Sequence, residues 1–390
     1  MQFVEKFKIL QLSTSHSGGA ALSARRLNYS LNRIGLHSEF VTINRAEYNI
    51  NSHETAVFRG PLQRLQSGTY SYFSKIISNE TPFSLFSSNI VNLNKLRSIT
   101  AGDKFIIHVH NWFNFISPNE IVKLINLGIP VVVTLHDQRF FTGGCHVSYG
   151  CTRFTQKCGK CPLLPKSLSS IPTLNIQKNL KLFSKPISNL RFIAPSMWMQ
   201  SLARNSTVLR YQEIKFIPNT LGDFQISQNM SVDKSEYLEV GIASVNSGIF
   251  LKGGDIVQQL EDKIQKLNLK IKINYLSEYS RANKENAFWN KLDVLLVPSR
   301  AENSPNVIHE AKSIGLPIIA TDVGGINELI NPVIDKLVSI QNLNVDYLVD
   351  LLINFNKIQS KKVKNEIMNM YRKYTKNALV DHIKLYKEMF

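Results

Sequence analysis

The chain has 390 residues, 43% of them hydrophobic and 19% charged, which excludes a disordered polymer and suits two domains of ordinary size. Its net charge of +17 lies mostly in residues 1–190, where 21 Lys and Arg stand against 8 Asp and Glu, so we expect an anionic partner for that half. No apolar run nears the roughly 20 residues of a membrane-spanning helix, and the first residues lack the apolar segment of a signal peptide. We therefore expect a cytoplasmic protein, at most peripheral on the inner face of the cytoplasmic membrane.

Short apolar strands alternate with amphipathic helices along the first half of the chain. Apolar residues from Ala20 to Ile34 fall on one face of a helix, which Gly35 ends. Strands are predicted before and after it at Lys8–Leu12, Ser38–Ile43, Lys104–His110, Pro130–Leu135, Arg191–Pro195 and Lys215–Asn219.

The second half repeats this alternation after a polar run from Thr220 to Ser235, which we interpret as a domain boundary. Its predicted strands are Leu238–Ala243, Lys270–Leu276, Val294–Pro298 and Pro317–Thr321. The pattern predicts an α/β protein with two doubly wound, Rossmann-like parallel sheets, residues 1–220 and 221–371, facing each other across a cleft. Apolar residues at helical spacing in 372–390 predict a final helix that packs back on the first domain.

The segment from Glu302 to Glu310 carries the sharpest chemical signal. Ser304 is expected to cap a helix with Pro305 at its first position, so that the free N–H groups near Asn306 attract phosphate beyond the sheet. The two carboxylates suit sugar hydroxyls, because an ionised carboxylate only accepts hydrogen bonds. On its own, the segment is equally consistent with an ordinary capped helix that carries solvated glutamates.

Glycine-rich turns follow other predicted strands, at Ser17-Gly18-Gly19, Lys252-Gly253-Gly254 and Gly324-Gly325. They allow the backbone to approach a ligand closely, and Lys252 adds a cation that suits a diphosphate. Taken together, the motifs resemble those of the retaining glycosyltransferases of family 4, which have the two-domain GT-B fold. The resemblance rests on Gly18-Gly19, Thr134-Leu-His136-Asp137, Ile217-Pro-Asn219, Lys252-Gly253 and the Glu-x7-Glu pair of Glu302 and Glu310.

The resemblance implies an enzyme that moves a sugar from a nucleotide-sugar donor to an acceptor hydroxyl, with retention of configuration and no metal cofactor for the transfer. It places Glu310 on the ribose and Glu302 near the donor sugar, with the backbone of Asn306 and Val307 facing the phosphates. Lys252 would neutralise the diphosphate as it leaves.

In the first domain, the resemblance implies that His136 approaches the sugar and that Gly18 and Gly19 meet the donor phosphates and the acceptor. One position departs from the family pattern: many relatives carry an arginine where this chain has Asn246, which supplies no charge. Stabilisation of the diphosphate would then depend more on Lys252.

Three ring-bearing residues on or just after one predicted strand are candidates for the core or for the cleft. His108 and His110 alternate along one predicted strand and are interpreted as a core and a cleft residue, respectively. Trp112 either packs in the core or borders the acceptor side.

The four cysteines of the chain lie within one Gly-rich loop that follows His136 and the predicted strand Pro130–Leu135. Four thiolates suit tetrahedral zinc, and the last two have the Cys-x2-Cys spacing of zinc sites. We predict a structural zinc that fixes the loop near the acceptor side, with disulfides or free thiols as alternatives and His146 as a substitute ligand. The predicted ligands are Cys145, Cys151, Cys158 and Cys161.

The family resemblance implies a role in the assembly of bacterial surface polysaccharide or glycolipid, such as lipopolysaccharide or capsule. The expected partners are a nucleotide-sugar donor, a glycan or lipid-linked acceptor and an anionic membrane surface. One alternative is a nucleic-acid-binding zinc protein, which the lack of Lys/Arg runs with interleaved aromatics disfavours, so no nucleic-acid partner is expected. Another is a nucleotide-sugar epimerase or phosphorylase of the same fold.

Overall fold

The chain divides into two compact units, one formed by Met1–Asp223 with Ala378–Phe390 and the other by Phe224–Asn377. A computed structural model describes most of both units. The described residues are 7–43, 52–57, 93–100, 103–222, 224–226, 235–243, 250–277, 285–355 and 361–390.

The first unit contains a seven-stranded sheet in the order β3-β2-β1-β4-β5-β6-β7, and every neighbouring pair in it is parallel. Its strands are β1 Phe7–Ser13, β2 Ser38–Ile43, β3 Glu54–Val57, β4 Lys104–Asn111, β5 Val131–Thr134, β6 Leu190–Ala194 and β7 Ile214–Phe216. Its helices are α1 Gly19–Arg33, α2 Leu93–Thr100, α3 Pro118–Asn126, α4 Ile171–Phe183 and α5 Met197–Asn205.

Local sequence sets where these helices begin. The Ser117 hydroxyl accepts a hydrogen bond from the Glu120 N–H, and Pro118 occupies the first position of α3, where it costs no backbone hydrogen bond. Helix α1 turns Ala24, Leu27 and Leu31 inward, all almost fully buried. An amphipathic face of this kind accounts for most of the stability of a short helix in a folded protein.

Apolar side chains fill both faces of the first sheet, as a parallel sheet covered by helices requires. One face holds Leu10, Leu12 and Ile107, and the other holds Ile9 and Leu31. The second cluster also takes in Ala378, Leu385 and Tyr386 from the end of the chain.

The second unit contains a five-stranded parallel sheet in the order β12-β11-β10-β8-β9. Its strands are β8 Leu238–Ile242, β9 Ile271–Tyr275, β10 Val294–Val297, β11 Ile318–Thr321 and β12 Lys336–Val338. Its helices are α6 Gly254–Lys266, α7 Glu285–Lys291, α8 Asn306–Ser313 and α9 Val345–Ile353. The predicted α/β class with two parallel sheets is therefore confirmed.

The last helix, α10, runs from Lys361 to Lys387 and so begins well before the predicted start at residue 372. Its residues up to Asn377 belong to the second unit, and those from Ala378 belong to the first. Within the described part of the chain, none of the helices combines the length and the hydropathy that crossing a bilayer would require.

Candidate active site

Three neighbouring strands of the second sheet end at the site. In the order β11-β10-β8, the central strand β10 leads into the loop that carries Glu302. The strand beside it on one side, β8, precedes the Lys252-Gly253 turn, and the strand on the other side, β11, leads into Gly324. Because parallel strands end at the same edge, these three segments lie together beyond that edge.

Two glycines let the flanking segments touch the central loop. Gly253 has a φ of 74°, and a Cβ built on it would lie 2.1 Å from the carbonyl oxygen of Pro298. Gly324 has a φ of 61°, and its Cβ would lie 1.6 Å from the carbonyl oxygen of Glu302. Both positions therefore require glycine, for the backbone conformation and for the space.

Lys252 and Glu302 form an ion pair at this edge of the sheet. The Ser299 hydroxyl donates a second hydrogen bond to the same carboxylate oxygen of Glu302, at 3.1 Å. The Glu302 side chain is only 11% exposed, whereas that of Lys252 is 41% exposed. Two residues that the sequence assigns to the site separately are thus in contact, with the ammonium group on the solvent side.

Arg300, which the sequence analysis missed, anchors the turn that carries Lys252. Its guanidinium makes two hydrogen bonds of 2.6 and 2.7 Å to the Asp255 carboxylate and lies 3.8 Å over the ring of Phe250. Hydrogen bonds from Arg300 lower the pKa of Asp255. The only sequence signal for this role is an arginine placed between a buried strand and the Glu302 motif.

The prediction that Ser304 caps α8 is wrong. Pro305 is the N-cap residue of that helix and makes no side-chain cap, while the Ser304 hydroxyl lies 2.7 Å from Nε2 of His309. The serine hydroxyl therefore contacts an imidazole of the same helix. Asn306 is the first residue of the helix, as expected.

The remaining sequence-predicted residues of α8 are largely enclosed. Val307 packs against the core cluster of the second unit. Glu310 is buried, with 5% of the residue exposed. Together with the burial of Glu302, this contradicts the alternative of an ordinary helix with solvated glutamates. Asn246 lies outside the described residues.

In the first unit, the predicted glycine turn follows β1. Gly18 is the N-cap residue of α1 with a φ of 93°, and Gly19 is the first residue of the helix. A Cβ on either glycine would meet no atom within 4 Å. Among the described residues, the space that a side chain would take at these two positions is thus open.

His136 lies just beyond β5 and is half-buried. Its Nε2 is 3.1 Å from Nδ1 of His110, and the two rings stack with centroids 5.3 Å apart. His110 is itself buried, and its ring is tilted by 36° to that of His108, with the centroids 4.1 Å apart. His108 is fully buried, as its interpretation as a core residue expects, but His110, interpreted as a cleft residue, is buried as well. Residues two apart on a strand share one face. That rule is the signal by which the sequence could have placed them together.

Burial governs the charge of these rings. Desolvation lowers the pKa of His108 and of His110 well below the ordinary histidine value, and it lowers the pKa of His136 to about 4. His136 is therefore neutral near pH 7 and acts through hydrogen bonds of its ring nitrogens.

The next residue, Asp137, is held by Arg139. Burial alone would raise the pKa of Asp137, but the charge and hydrogen bonds of the Arg139 guanidinium outweigh it and lower that pKa. Arg139 also donates to the side-chain oxygen of Asn111 at 3.2 Å and lies 4.9 Å from the ring centre of Phe113. Trp112 packs on the buried ring of Phe140 with centroids 5.7 Å apart and is partly buried against the core of the first unit.

The cysteine loop begins directly after this arginine, and its four thiols are all free. Among the described residues, which include all four cysteines, no group of three or more His, Cys, Asp or Glu side chains is arranged to hold a metal ion. The predicted zinc site is thus unsupported. Cys145 and Cys161 instead pack together with Leu164, and a hydrogen bond from the Cys145 thiol lowers the pKa of Cys161 to about 6.

Known proteins resemble this chain in sequence and in fold. Residues 241–378 match the family model described as Glycosyl transferases group 1. A glycosyl transferase of Escherichia coli (strain K12), WcaC, whose name assigns it to colanic acid biosynthesis, is 27% identical over 297 residues, which are 67% of this chain and 72% of that protein.

Two solved structures match nearly the whole chain. The sucrose-phosphate synthase of Thermosynechococcus elongatus covers 98% of this chain and 99% of its own, with a TM-score of 0.64 and 15% identity. The HepE protein of Anabaena in complex with UDP-glucose covers 97% of this chain and 99% of its own, with a TM-score of 0.58 and 15% identity. These matches show the GT-B fold.

Proposed function

We propose that this chain is a glycosyl transferase of group 1, which moves a sugar from a nucleotide-sugar donor to an acceptor hydroxyl with retention of anomeric configuration. The observation that carries the proposal is the Lys252–Glu302 pair, which lies at the edge of a parallel sheet where such sheets bind ligands. The two glycines that allow the backbone to approach there, Gly253 and Gly324, support the same reading.

Lys252 is proposed to bind the diphosphate of the donor. The bond from the anomeric carbon to the diphosphate oxygen breaks during transfer, and negative charge develops on that oxygen. An ammonium group stabilises this charge, and the exposed position of Lys252 leaves it accessible to a ligand. Glu302 keeps the ammonium at the edge of the sheet and is proposed to border the donor sugar.

Helix α8 is proposed to bind the rest of the nucleotide. The first N–H groups of a helix favour an anion, so the backbone at Asn306 and Val307 suits a phosphate. Glu310, one turn further along, suits the ribose hydroxyls because its carboxylate accepts hydrogen bonds from both. Asn246 supplies no charge, so Lys252 carries more of the diphosphate stabilisation.

Two segments of the first unit complete the proposed assignment. Gly18 and Gly19 offer the N-terminal end of α1 to an anionic or hydroxyl-bearing group. His136 is proposed to place the transferred sugar. In the transfer step, the acceptor oxygen attacks the anomeric carbon from the face that the diphosphate leaves, and the hydroxyl proton passes to the departing diphosphate oxygen.

A ligand screen with matched variants tests this proposal. We expect UDP-, ADP- or GDP-sugars to raise the melting temperature of the full chain, since a ligand that binds only the native state stabilises it. Lys252→Ala should abolish the shift, whereas Lys270→Ala, which removes an exposed surface lysine, should leave it unchanged. No stabilisation by any nucleotide sugar would contradict the proposal, and an inverted anomer in the NMR spectrum of the product would contradict retention.

Chelation and product analysis separate the remaining possibilities. Transfer that continues in EDTA fits a reaction without a metal cofactor. Conversion of the donor without an added acceptor would favour an epimerase, and dependence on inorganic phosphate would favour a phosphorylase.

The proposed biological role is the assembly of surface polysaccharide or glycolipid, and the likeness to WcaC supports it. The excess positive charge of residues 1–190 supports an acceptor attached to an anionic membrane surface. Vesicles with anionic lipid should then bind the protein at low salt and release it at high salt. Binding that does not change with salt would contradict this role for the charge.

A further inference from the structure

One stretch of the first unit carries positive charge alone. Residues 138–212 contain 11 lysines and arginines and no aspartate or glutamate, although the whole chain has 29 acidic residues. The stretch lies wholly within the described residues and covers the cysteine loop, α4 and α5. Solvated surfaces usually mix charges of both signs, and cations on them pair with nearby carboxylates. Solubility alone therefore does not require such a segregation of charge.

Helix α4 turns one row of side chains away from the core. Four of its residues, at intervals of four and three, are buried on the inward side: Pro172, Ile176, Asn179 and Phe183. Leu174, Lys178 and Lys181 recur at the same intervals on the opposite side and are all exposed. Leu174 is 67% exposed. The outward side of the helix thus combines lysines with an uncovered leucine.

The cysteine loop packs against the first turns of this helix. The side-chain amide of Asn175 donates a hydrogen bond of 3.1 Å to the Gly143 carbonyl, and a Cβ on Gly143 would lie 2.4 Å from Cβ of Pro172. At the other end of the loop, the N–H of Cys161 donates to the Ser169 carbonyl at 3.0 Å. The loop and the helix therefore form one continuous surface.

The basic face of this surface consists of seven cations and one leucine, all exposed: Arg153, Lys157, Lys160, Lys166, Lys178, Lys181, Lys185 and Leu174. Within the described residues, no ion pair joins any of these cations to a carboxylate. The charge of the basic face is therefore not neutralised by the part of the fold that the structure describes.

The carboxylates that border the basic face are already paired. Asp137 and Glu213, the acidic residues on either side of the stretch, lie 2.6 and 2.9 Å from the guanidinium groups of Arg139 and Arg191. Helix α3 packs on α4, and its Glu120 is paired with a lysine of its own helix. These carboxylates do not offset the cations of the basic face.

The basic face adjoins the edge of the first sheet at which His136 lies. The cysteine loop starts beyond the end of β5, just after His136, and α4 begins where that loop ends. Because α4 runs back to the start of β6, which is parallel to β5, its first turn lies at the edge where β5 ends. A partner on the basic face therefore lies beside that edge.

We propose that the basic face is a docking surface for a bilayer that carries anionic lipid. Charge complementarity calls for an anionic partner, because the seven cations have no carboxylate among them. Leu174 favours a bilayer over a soluble polyanion, since a lipid interface buries an apolar side chain while the lysines around it keep their ammonium groups at the headgroups. That this bilayer presents the acceptor to the edge with His136 rests on the proposed function, but the docking itself does not.

Cosedimentation of the full chain with vesicles tests the docking surface. We expect binding at low salt to phosphatidylcholine vesicles that contain phosphatidylglycerol, and none to phosphatidylcholine alone. Lys178→Glu/Lys181→Glu should weaken binding about 30-fold or more, because each lysine near an anionic surface contributes about fivefold in affinity. Lys157→Glu/Lys160→Glu, on the cysteine loop, should cause a similar loss, and it replaces the first variant if that one does not fold.

Matched variants of the second unit control for net charge and for exposed leucine. Lys266→Glu/Lys272→Glu changes the net charge by the same amount at two exposed lysines and should weaken binding less than about threefold. Leu174→Gln should weaken binding about tenfold at low and at high salt, because it removes the apolar contact. Leu267→Gln, at another exposed leucine, should not change binding.

Three results would overturn the proposal: wild-type binding by both basic-face double variants, an equal loss in Lys266→Glu/Lys272→Glu, or binding to soluble hyaluronate that is tighter than binding to vesicles. The last result would assign the basic face to an anionic glycan. Vesicle binding by a protein that no nucleotide sugar stabilises would leave the docking surface intact and refute the proposed function. Stabilisation by a nucleotide sugar without vesicle binding would refute the docking surface alone.

Discussion

The contact between Gly324 and Glu302 gives the sharpest test of the site. A Cβ on Gly324 would lie 1.6 Å from the Glu302 carbonyl oxygen, and a Cβ essentially never approaches another heavy atom closer than 3.0 Å. Gly324→Ala therefore forces a displacement of at least 1.4 Å, the difference between the two distances. The moving parts are the backbone of Glu302 or the turn that carries Gly324.

The substitution has two costs. Alanine at a positive φ costs about 1–2 kcal/mol, partly offset by the lower entropy of the unfolded chain. The clash adds the loss of packing around the displaced loop, so we expect the unfolding free energy of the second unit to fall by about 2–4 kcal/mol. A displacement of the ion pair by about 1 Å is expected to lower the transfer rate about 100-fold.

Gly128 offers a matched control, since its φ is 80° and a Cβ there would meet no atom within 4 Å. Gly128→Ala should cost only the conformational term, about 1 kcal/mol, and leave transfer unchanged. Asparagine tolerates a positive φ better than alanine does, so Gly324→Asn should relieve the conformational strain and keep the clash. Urea denaturation and initial rates measure both effects. If Gly324→Ala were as mild as Gly128→Ala, the close approach to Glu302 would not be what this position requires.

Three further predictions concern stability and ionisation. Lys312→Ala should lower the free energy of unfolding by about 3–5 kcal/mol, because it leaves the buried Asp335 carboxylate without its cation. Lys123→Ala, at an exposed ion pair, should lower it by less than about 1 kcal/mol. Equal losses in urea denaturation would contradict the burial argument. Burial lowers the pKa of His136 and His382 to about 4, so the free energy of unfolding should fall by about 3 kcal/mol per ring as the pH falls from about 6.5 to about 4. His382→Gln should flatten this pH dependence in denaturation curves, and His37→Gln, at an exposed ring, should not. Cys145→Ala should raise the pKa of Cys161 from about 6 towards the ordinary thiol value of about 8.5, seen as thiolate absorbance, and Cys151→Ala should not.

Several features of the fold follow from local patterns alone. Short apolar runs between amphipathic helices predict parallel strands, because only a sheet covered on both faces buries every side chain of such a run. The strands predicted at Ser38–Ile43 and Pro317–Thr321 lie where the sequence places them. Parallel strands end at one edge, so the sequence also predicts that Lys252, Glu302 and the glycine turns converge there.

The atoms that a side chain contacts are less predictable from the sequence than the place of its residue in the fold. Ser304 has the residue type and spacing of a helix cap, but Pro305 is the N-cap residue, and the Ser304 hydroxyl lies 2.7 Å from Nε2 of His309. No pattern in the segment distinguishes these two arrangements. The last two of the four cysteines have the spacing of metal ligands, yet among the described residues no group of three or more His, Cys, Asp or Glu side chains is arranged to hold a metal ion. Side-chain direction decides both cases, and spacing along the chain does not specify it.

The amino-acid sequence by itself determined the α/β class, the edge of each sheet at which the strands end and the residue types at that edge, because these depend on short-range periodicity and on strand direction. Only the tertiary structure decided that Gly324 presses on the backbone of Glu302 and that Tyr386 hydrogen-bonds to His108. These contacts join residues far apart in the chain, and they form only when folding has packed whole elements against each other. Hydrogen-bond direction and steric fit then depend on a few tenths of an ångström, which close packing sets and local pattern does not.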